Sequence, residues 1–291
     1  MVLCKRFLFT FMLICCFSVL RQEKVLAAVK YEILEDENGI TGFCANKQMK
    51  KVYVALKESG DAYKVVSPAT KGSQIYYFDK NGIGNVCLDT GFVRISYAGQ
   101  KKTYYLKEGD VETNQIVGNK KQGYYYVDAG GVRVTDKTIM LAVKFVGEHT
   151  ESSDSRSKKL KKCYYYFASN YKYERNHSNL YPKAKDMKSM ANDILLNKKG
   201  NCHRYAAGFA YIAKVLGYDV KVVVGKITLS SGRIVPHGWN EIKKGGKWYV
   251  CDSEMEVNGR VASYMKTVTP CKTLVKRRCT MTVKNGKVIW K

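Results

Sequence analysis

A chain of 291 residues with 45% hydrophobic and 26% charged side chains is long enough for two domains and too apolar to be disordered throughout. Its 50 Lys and Arg against 25 Asp and Glu leave a net charge of +25. The lysines are scattered and no recognised nucleic-acid motif is present, so nucleic acid is not an expected partner.

At the N-terminus, Lys5-Arg6 precede an apolar run from Phe7 to Leu20 and the small pair Ala27-Ala28. That is the layout of a secretory signal peptide over residues 1–28. The run of 14 residues is shorter than the ~20 that a spanning helix prefers, so no transmembrane segment is expected in the mature chain. Cys15 and Cys16 lie inside the run without a lipobox before them. Cleavage would remove four basic and one acidic residue and leave +22. On an exported protein such a charge favours contact with polyanions, with teichoic acid and wall glycan outside a Gram-positive cell as candidates. The same lysines also read as an ordinary solvated surface.

Residues 29–138 alternate short tyrosine-rich segments with turn residues: Val52-Tyr53-Val54, Ile75-Tyr76-Tyr77-Phe78, Tyr104-Tyr105-Leu106 and Tyr124-Tyr125-Tyr126-Val127. Each reads as a strand, and together they predict a β-hairpin-rich N-terminal domain. These units loosely resemble the choline- or glucan-binding cell-wall repeats of exported Gram-positive proteins, in which aromatic pockets hold a cationic ligand. They lack the tryptophans of those repeats, and packing of a β-rich domain explains the tyrosines equally well.

A second domain is expected over 139–291, and residues 147–159 within it are polar and read as a loop or linker. A helix over 158–171 follows, with Leu160, Cys163, Tyr164, Phe167 and Tyr171 on one face, and a second helix surrounds Met187, Ala191, Ile194 and Leu195. Cys163 on that stripe reads as a core thiol.

Asn201 is a favoured N-cap, so Cys202 is expected in the first turn of the next helix, where the macrodipole favours thiolate. Ala206, Phe209, Ile212, Ala213 and Leu216 continue its buried stripe, and Gly217 stops it. Val220 to Val224 predicts a strand over that helix. His237 then opens a strand and Asp252 closes the next, with the turn at Lys244-Gly245-Gly246-Lys247 between them. An antiparallel hairpin brings both residues to one end of the sheet. His203 is adjacent to Cys202 but turned about 100° around the helix and reads as flanking.

A thiol on a helix N-terminus, an imidazole and a carboxylate are what thiol acyl transfer requires. Cys202 would attack an amide or ester carbonyl, His237 would pair with the thiolate and protonate the leaving group, and Asp252 would orient the imidazole. The run Gly200, Cys202, Tyr205, Ala206, then His237 and Trp239, then Trp248, Tyr249 and Asp252 resembles the transglutaminase-like superfamily, papain-like in its Cys-His-Asp order, over roughly residues 140 to 255. The resemblance implies an α+β fold: a helix-borne Cys packed on an antiparallel sheet, behind the β-rich N-terminal domain. It implies catalysis by Cys202, His237 and Asp252 on a protein or peptide substrate, without metal or other cofactor. The sequence departs from relatives in having Ser253-Glu254 where many carry proline. It also lacks the tryptophan before Cys202 that animal members use at the oxyanion. Tyr173 or Tyr171 is the candidate donor in its place.

Seven cysteines remain after residue 28. With Cys202 free, the other six pair or stay as buried thiols, and Cys271 with Cys279 is the expected disulfide. No Cys-x-x-Cys pair exists, which disfavours zinc. Two function classes follow: a secreted or wall-associated cysteine acyl-transferase or hydrolase, or a non-catalytic wall-binding protein on the same scaffold.

Overall fold

The computed structural model describes residues 90–94, 102–108, 111–175, 179–256 and 261–291 in full, and between 29 and 111 the backbone of further strands. The expected signal segment 1–28, the turn at 79–82 and Cys87 lie outside the described residues. The chain divides into two compact units. The first, residues 1–68, 74–88 and 95–101, holds an antiparallel sheet ordered Val29–Lys30, Ile83–Val86, Ile75–Phe78, Tyr63–Val66, Tyr53–Leu56, and a hairpin of Glu32–Asp36 with Gly39–Cys44. The tyrosine-rich segments expected as strands are strands at Tyr53–Leu56, Ile75–Phe78, Gln100–Lys107 and Gly123–Val127.

The second unit takes residues 69–73, 89–94 and 102–291. The expected division at 138 falls inside it, because Tyr126 and Val134 are buried in its main core. Its elements are β1 (Gln115–Asn119), β2 (Gly123–Val127), α1 (Lys137–His149), α2 (Arg156–Asn170), β3 (Lys172–Tyr173), α3 (Met187–Asn197), β4 (Lys199–Gly200), α4 (Cys202–Val215), β5 (Asp219–Thr228), β6 (Ile234–Lys244), β7 (Lys247–Cys251), β8 (Thr273–Lys284) and β9 (Lys287–Trp290). The unit is α+β. Helices α1, α3 and α4 pack together, and α4 also lies on an antiparallel sheet ordered β7-β6-β5-β8-β9.

Helix α1 is an element the sequence reading did not place. Asp136 caps it by accepting the Thr138 and Ile139 N–H groups at 3.0 and 3.3 Å, and Ile139, Ala142, Val143 and Val146 are buried. It absorbs Gly147 to His149, the start of the expected linker. The rest, 150–155, folds onto Asp154, which accepts Glu151 N–H at 2.9 Å and pairs with Lys158 and Lys162 at 2.7 and 2.6 Å. Of the two readings, loop or linker, it is a clasped loop inside the second unit.

Helix α4 is the spine of the unit. Every residue but Arg204 is buried, which exceeds the single stripe expected of an amphipathic helix, because helices and sheet enclose it together. It ends in a Schellman motif: Gly217 N–H reaches Lys214 O at 2.8 Å and Tyr218 N–H reaches Ala213 O at 3.1 Å. Gly217 has φ +82°, the left-handed region that glycine enters without penalty. On β5, Val220, Val222 and Val224 face the helices in the main core, while Val223 joins Trp239, Val250 and Met255 in a smaller cluster on the other face.

Cys271 and Cys279 are both free thiols, as are Cys163, Cys202 and Cys251. Cys279 is buried in the main core, whereas Cys271 packs against the smaller cluster. The extended strand between them spans about 20 Å, far beyond the ~5.5 Å Cα separation of a disulfide. The expected bridge is therefore corrected to two separate thiols.

A Cβ at Gly217 would also lie 2.3 Å from Asn114 O. Gly217→Ala is expected to cost about 2 kcal/mol or more, read as a lowered midpoint in urea unfolding; an unchanged midpoint would contradict the placement of this turn.

Candidate active site

Helix α4 begins where the sequence places it. The Asn201 side chain accepts the Arg204 N–H at 3.1 Å, and Cys202 is the first helical residue, buried in the first turn among amide groups that point N–H toward it. Two short parallel strands guard this end. Tyr173 on β3 faces Gly200 on β4, and Glu174 N–H donates to Gly200 O at 2.9 Å. The segment after α2 is thus laid along the approach to Cys202.

His237 lies on β6 opposite Gly225 of β5. The strand starts three residues before His237, at Ile234, because β5 runs to Thr228 and supplies partners that far. Gly245 and Gly246 take φ +55° and +79° in the turn to β7, the I′ geometry that suits a hairpin. The register pairs Asn240 with Cys251, which leaves Asp252 just past the strand at the same sheet end as His237. His237 Nε2 and Asp252 Oδ2 are 2.6 Å apart, with both side chains buried. Asp252 Oδ1 accepts the Met255 N–H at 3.2 Å, and Tyr164 donates its hydroxyl to the Asp252 main-chain carbonyl at 2.9 Å, so both the carboxylate and the backbone of this residue are held.

The electrostatics follow from this packing. Burial alone would push the Cys202 thiol up. The charge of His237, with hydrogen bonds from His203 and His237, brings it down to about 6. Burial likewise disfavours a charged His237, yet Asp252 and the Cys202 sulfur hold its pKa well above the ordinary imidazole value. The other buried thiols lack such partners: burial raises both Cys163 and Cys251 to about 12. One thiol of the core is therefore singled out for ionisation near neutral pH.

Two side chains join the site that the sequence reading did not assign to it. His203 Nδ1 is 3.7 Å from Cys202 Sγ, so the flanking assignment is corrected. The missing Cβ of Gly238, which would meet the His203 ring at 2.8 Å, leaves room for the imidazole to fold back beside the sulfur. Neighbouring residues on a helix do not face each other by periodicity; the glycine after His237 was the available signal. Glu254 is buried, with Oε2 3.8 Å from His237 Nδ1. Its signal was the Ser253-Glu254 departure from the family pattern.

The two candidate tyrosines separate. Tyr171 is buried among Phe145 and Phe167 and belongs to the core. Tyr173 is 36% exposed, and burial, with the charges of Cys202 and Glu254, raises its hydroxyl pKa. It remains a protonated donor at neutral pH.

Ligand atoms of His237, Asp252 and Glu254 lie within 4.8 Å of one another, a spacing open to a metal ion. The 2.6 Å contact between His237 and Asp252 is shorter than the about 3.2 Å that separates two tetrahedral zinc ligands bound at ~2.0 Å each. A direct hydrogen bond fits that contact better than an intervening ion.

Residues 143–253 match the model of the transglutaminase-like superfamily. This segment runs from α1 to just beyond Asp252 and includes Cys202 and His237. No curated protein matches the chain. Similar solved structures include a TGase, at 21% identity and TM-score 0.34, over 43% of this chain and 33% of that one. The arylamine N-acetyltransferase NAT3 of Bacillus cereus is 14% identical with TM-score 0.35, over 54% of this chain and 68% of that one. An arylamine N-acetyltransferase from Mycobacterium abscessus is 18% identical with TM-score 0.30, over 52% and 55%. The chain thus spans one third of the length of the TGase it matches.

Tyr105 and Tyr125, from the repeat-like segments, pack edgewise against Phe92 at 5.0 and 5.4 Å. The Arg133 guanidinium lies 4.8 Å from the Tyr125 ring centre and 5.4 Å from that of Phe92. These rings already hold a cation of the chain itself.

The thiol ordering is open to measurement. Thiolate is the alkylated form, so iodoacetamide labelling of Cys202 is expected to be half-maximal near pH 6, to plateau above it and to fall as pH drops. Peptide mapping should find Cys163 and Cys251 unlabelled at pH 7. A Cys202 rate still rising steeply from pH 7 to 9 would contradict the assignment.

Proposed function

We propose that this protein is an exported cysteine acyl-transferase or hydrolase that acts on protein or peptide amides through Cys202, His237 and Asp252. The observation that carries this reading is the 2.6 Å contact of His237 with Asp252 next to the buried Cys202 at a helix N-terminus, an arrangement that lowers the thiol pKa. In the reaction, the Cys202 thiolate attacks the carbonyl carbon, and the π pair moves onto oxygen. His237 gives its Nδ1 proton to the leaving amine as the C–N bond breaks, leaving a thioester on Cys202. Water or an amine then attacks the thioester, the C–S bond breaks, and the thiolate and imidazolium are restored.

The Cys202 backbone N–H and the Tyr173 hydroxyl are the proposed oxyanion donors. The support for Tyr173 is its place opposite Gly200 and the influence of the Cys202 charge on its hydroxyl. Export rests on the signal-like residues 1–28, and contact with wall polyanions rests on the charge of +22 that remains without them. The non-catalytic wall-binding alternative has less support: among the described residues, the aromatic group of Phe92 and Tyr125 already carries Arg133.

A glutamine-bearing peptide library incubated with a labelled primary amine tests the reading and separates transfer from cleavage. Turnover is expected in one channel or both, and Cys202→Ala should abolish it; full turnover by that variant would refute the nucleophile. Tyr173→Phe, which keeps the ring and removes the donor, is expected to lower kcat about 100-fold with little change in KM. A loss confined to KM would place Tyr173 in binding alone.

A further inference from the structure

The turn after Asp252 sends a second carboxylate back toward the same imidazole. Asp252 Oδ1 accepts Met255 N–H at 3.2 Å, Glu256 N–H reaches Asp252 O at 3.2 Å, and Asp252 N–H reaches Ser263 O at 3.2 Å. Glu256 in turn accepts the Ser263 N–H at 2.6 Å and the Tyr164 hydroxyl at 3.1 Å. The turn is clamped on both sides, so the place of Glu254 is imposed by the fold. Its Oε2 stands 3.8 Å from His237 Nδ1, and its side chain is buried. Asp252 occupies Nε2, which makes Nδ1 the nitrogen that exchanges protons with the reacting groups.

The chemistry of the second half-reaction asks for such a group. Once Cys202 is acylated, its sulfur carries no charge and Nδ1 has lost both its proton and its anionic partner. The imidazole then keeps Nε2–H on Asp252 and presents a bare lone pair at Nδ1. A carboxylate oxygen 3.8 Å away is a second acceptor, and one incoming atom can hydrogen-bond to both at about 2.8 to 2.9 Å.

We propose that Glu254 is a further catalytic residue of deacylation, holding the incoming acyl acceptor between its carboxylate and His237 Nδ1. This rests on the acyl-enzyme reading above. Water or a primary amine carries two hydrogens on its attacking atom and satisfies both acceptors. The lone pair of that atom forms the new bond to the thioester carbon, and His237 takes one of its protons. The C–S bond then breaks with its electron pair returning to Cys202. An amine arriving as an ammonium first gives one proton to Glu254, which returns it to solvent. His237 takes the second, and the third stays on the amide nitrogen. The acylation half-reaction needs no base at this position, because the Nδ1 proton is already present.

p-Nitrophenyl acetate separates the two halves, since its phenolate leaves without a proton and its release reports acylation directly. Rapid mixing with the wild-type protein should give a burst of one phenolate per Cys202, followed by slower steady turnover. Glu254→Gln is expected to keep the burst rate within about twofold and to lower the steady rate at least tenfold, a loss in the range caused by misplacing a reacting group. Glu254→Asp, which keeps the carboxylate, should recover part of the steady rate, and it decides the matter by the same two readouts if the glutamine variant does not fold. A burst that falls in parallel with turnover assigns Glu254 a structural role and overturns the proposal, as does a steady rate equal to wild type. No burst from the wild-type protein removes the acyl-enzyme reading itself, and Glu254 with it.

Discussion

The buried contact between His237 and Asp252, 2.6 Å long, is the constraint on which the rest of the site depends. An imidazole buried among β6, β5 and α4 would by itself be neutral, because removing a cation from water costs several kcal/mol. A carboxylate on Nε2 and a sulfur at the other side reverse that preference. The charge on His237 then draws the Cys202 proton off, so that each ion of the group is present because of its neighbours. Removing any one would leave the others as uncompensated buried charge, which is why the Asp252 turn is tied down by Tyr164, Met255 and Ser263.

The fold can be understood as the means of bringing those three groups together. Helix α4 delivers the sulfur by its N-terminus, and its complete burial fixes the height of that terminus above the sheet. Asn240 ties the two layers directly, donating from its side-chain amide to Ala206 O at 2.8 Å. Because Asn240 is also opposite Cys251, the same residue locks the helix against the hairpin that carries His237 and leads into Asp252. The α3 helix adds a second tie through Asp193, whose carboxylate meets Arg204 Nε at 2.5 Å. Cavities or shifts in this layer would alter the distance from sulfur to imidazole without touching either.

Much of this was legible from the chain alone. The N-cap Asn201, the buried stripe from Ala206 to Leu216 and the stop at Gly217 are local signals, set by residues within a turn of one another. The β-branched run at Val220 and the turn at Gly245-Gly246 are local as well, and with strand alternation they suffice to put His237 and Asp252 at one sheet end. The α+β class came from the resemblance carried by the motifs on these elements. The features that escaped prediction are of another kind. Helix α1 has the polar end Gly147-Glu148-His149, which reads as loop until Asp136 and the packing of Val143 and Val146 are taken into account. The Cys271 and Cys279 pairing failed because closeness in sequence says nothing when an extended strand lies between the two residues.

By itself, then, the sequence determined on which elements Cys202, His237 and Asp252 ride, since that follows from periodicity, capping and turn residues acting over a few positions, while their proposed roles came from the family resemblance. The environment of the charges was decided only by tertiary structure. The His203 ring beside the sulfur depends on an absent Cβ at Gly238, 35 residues away in the chain. The Glu254 carboxylate beside Nδ1 depends on a turn held by Tyr164 and Ser263. The lowered thiol of Cys202, against the raised thiols of Cys163 and Cys251, depends on which charges share the buried volume. Ionisation inside a protein is set by distance and desolvation in three dimensions, and neither quantity is written in the order of residues along the chain.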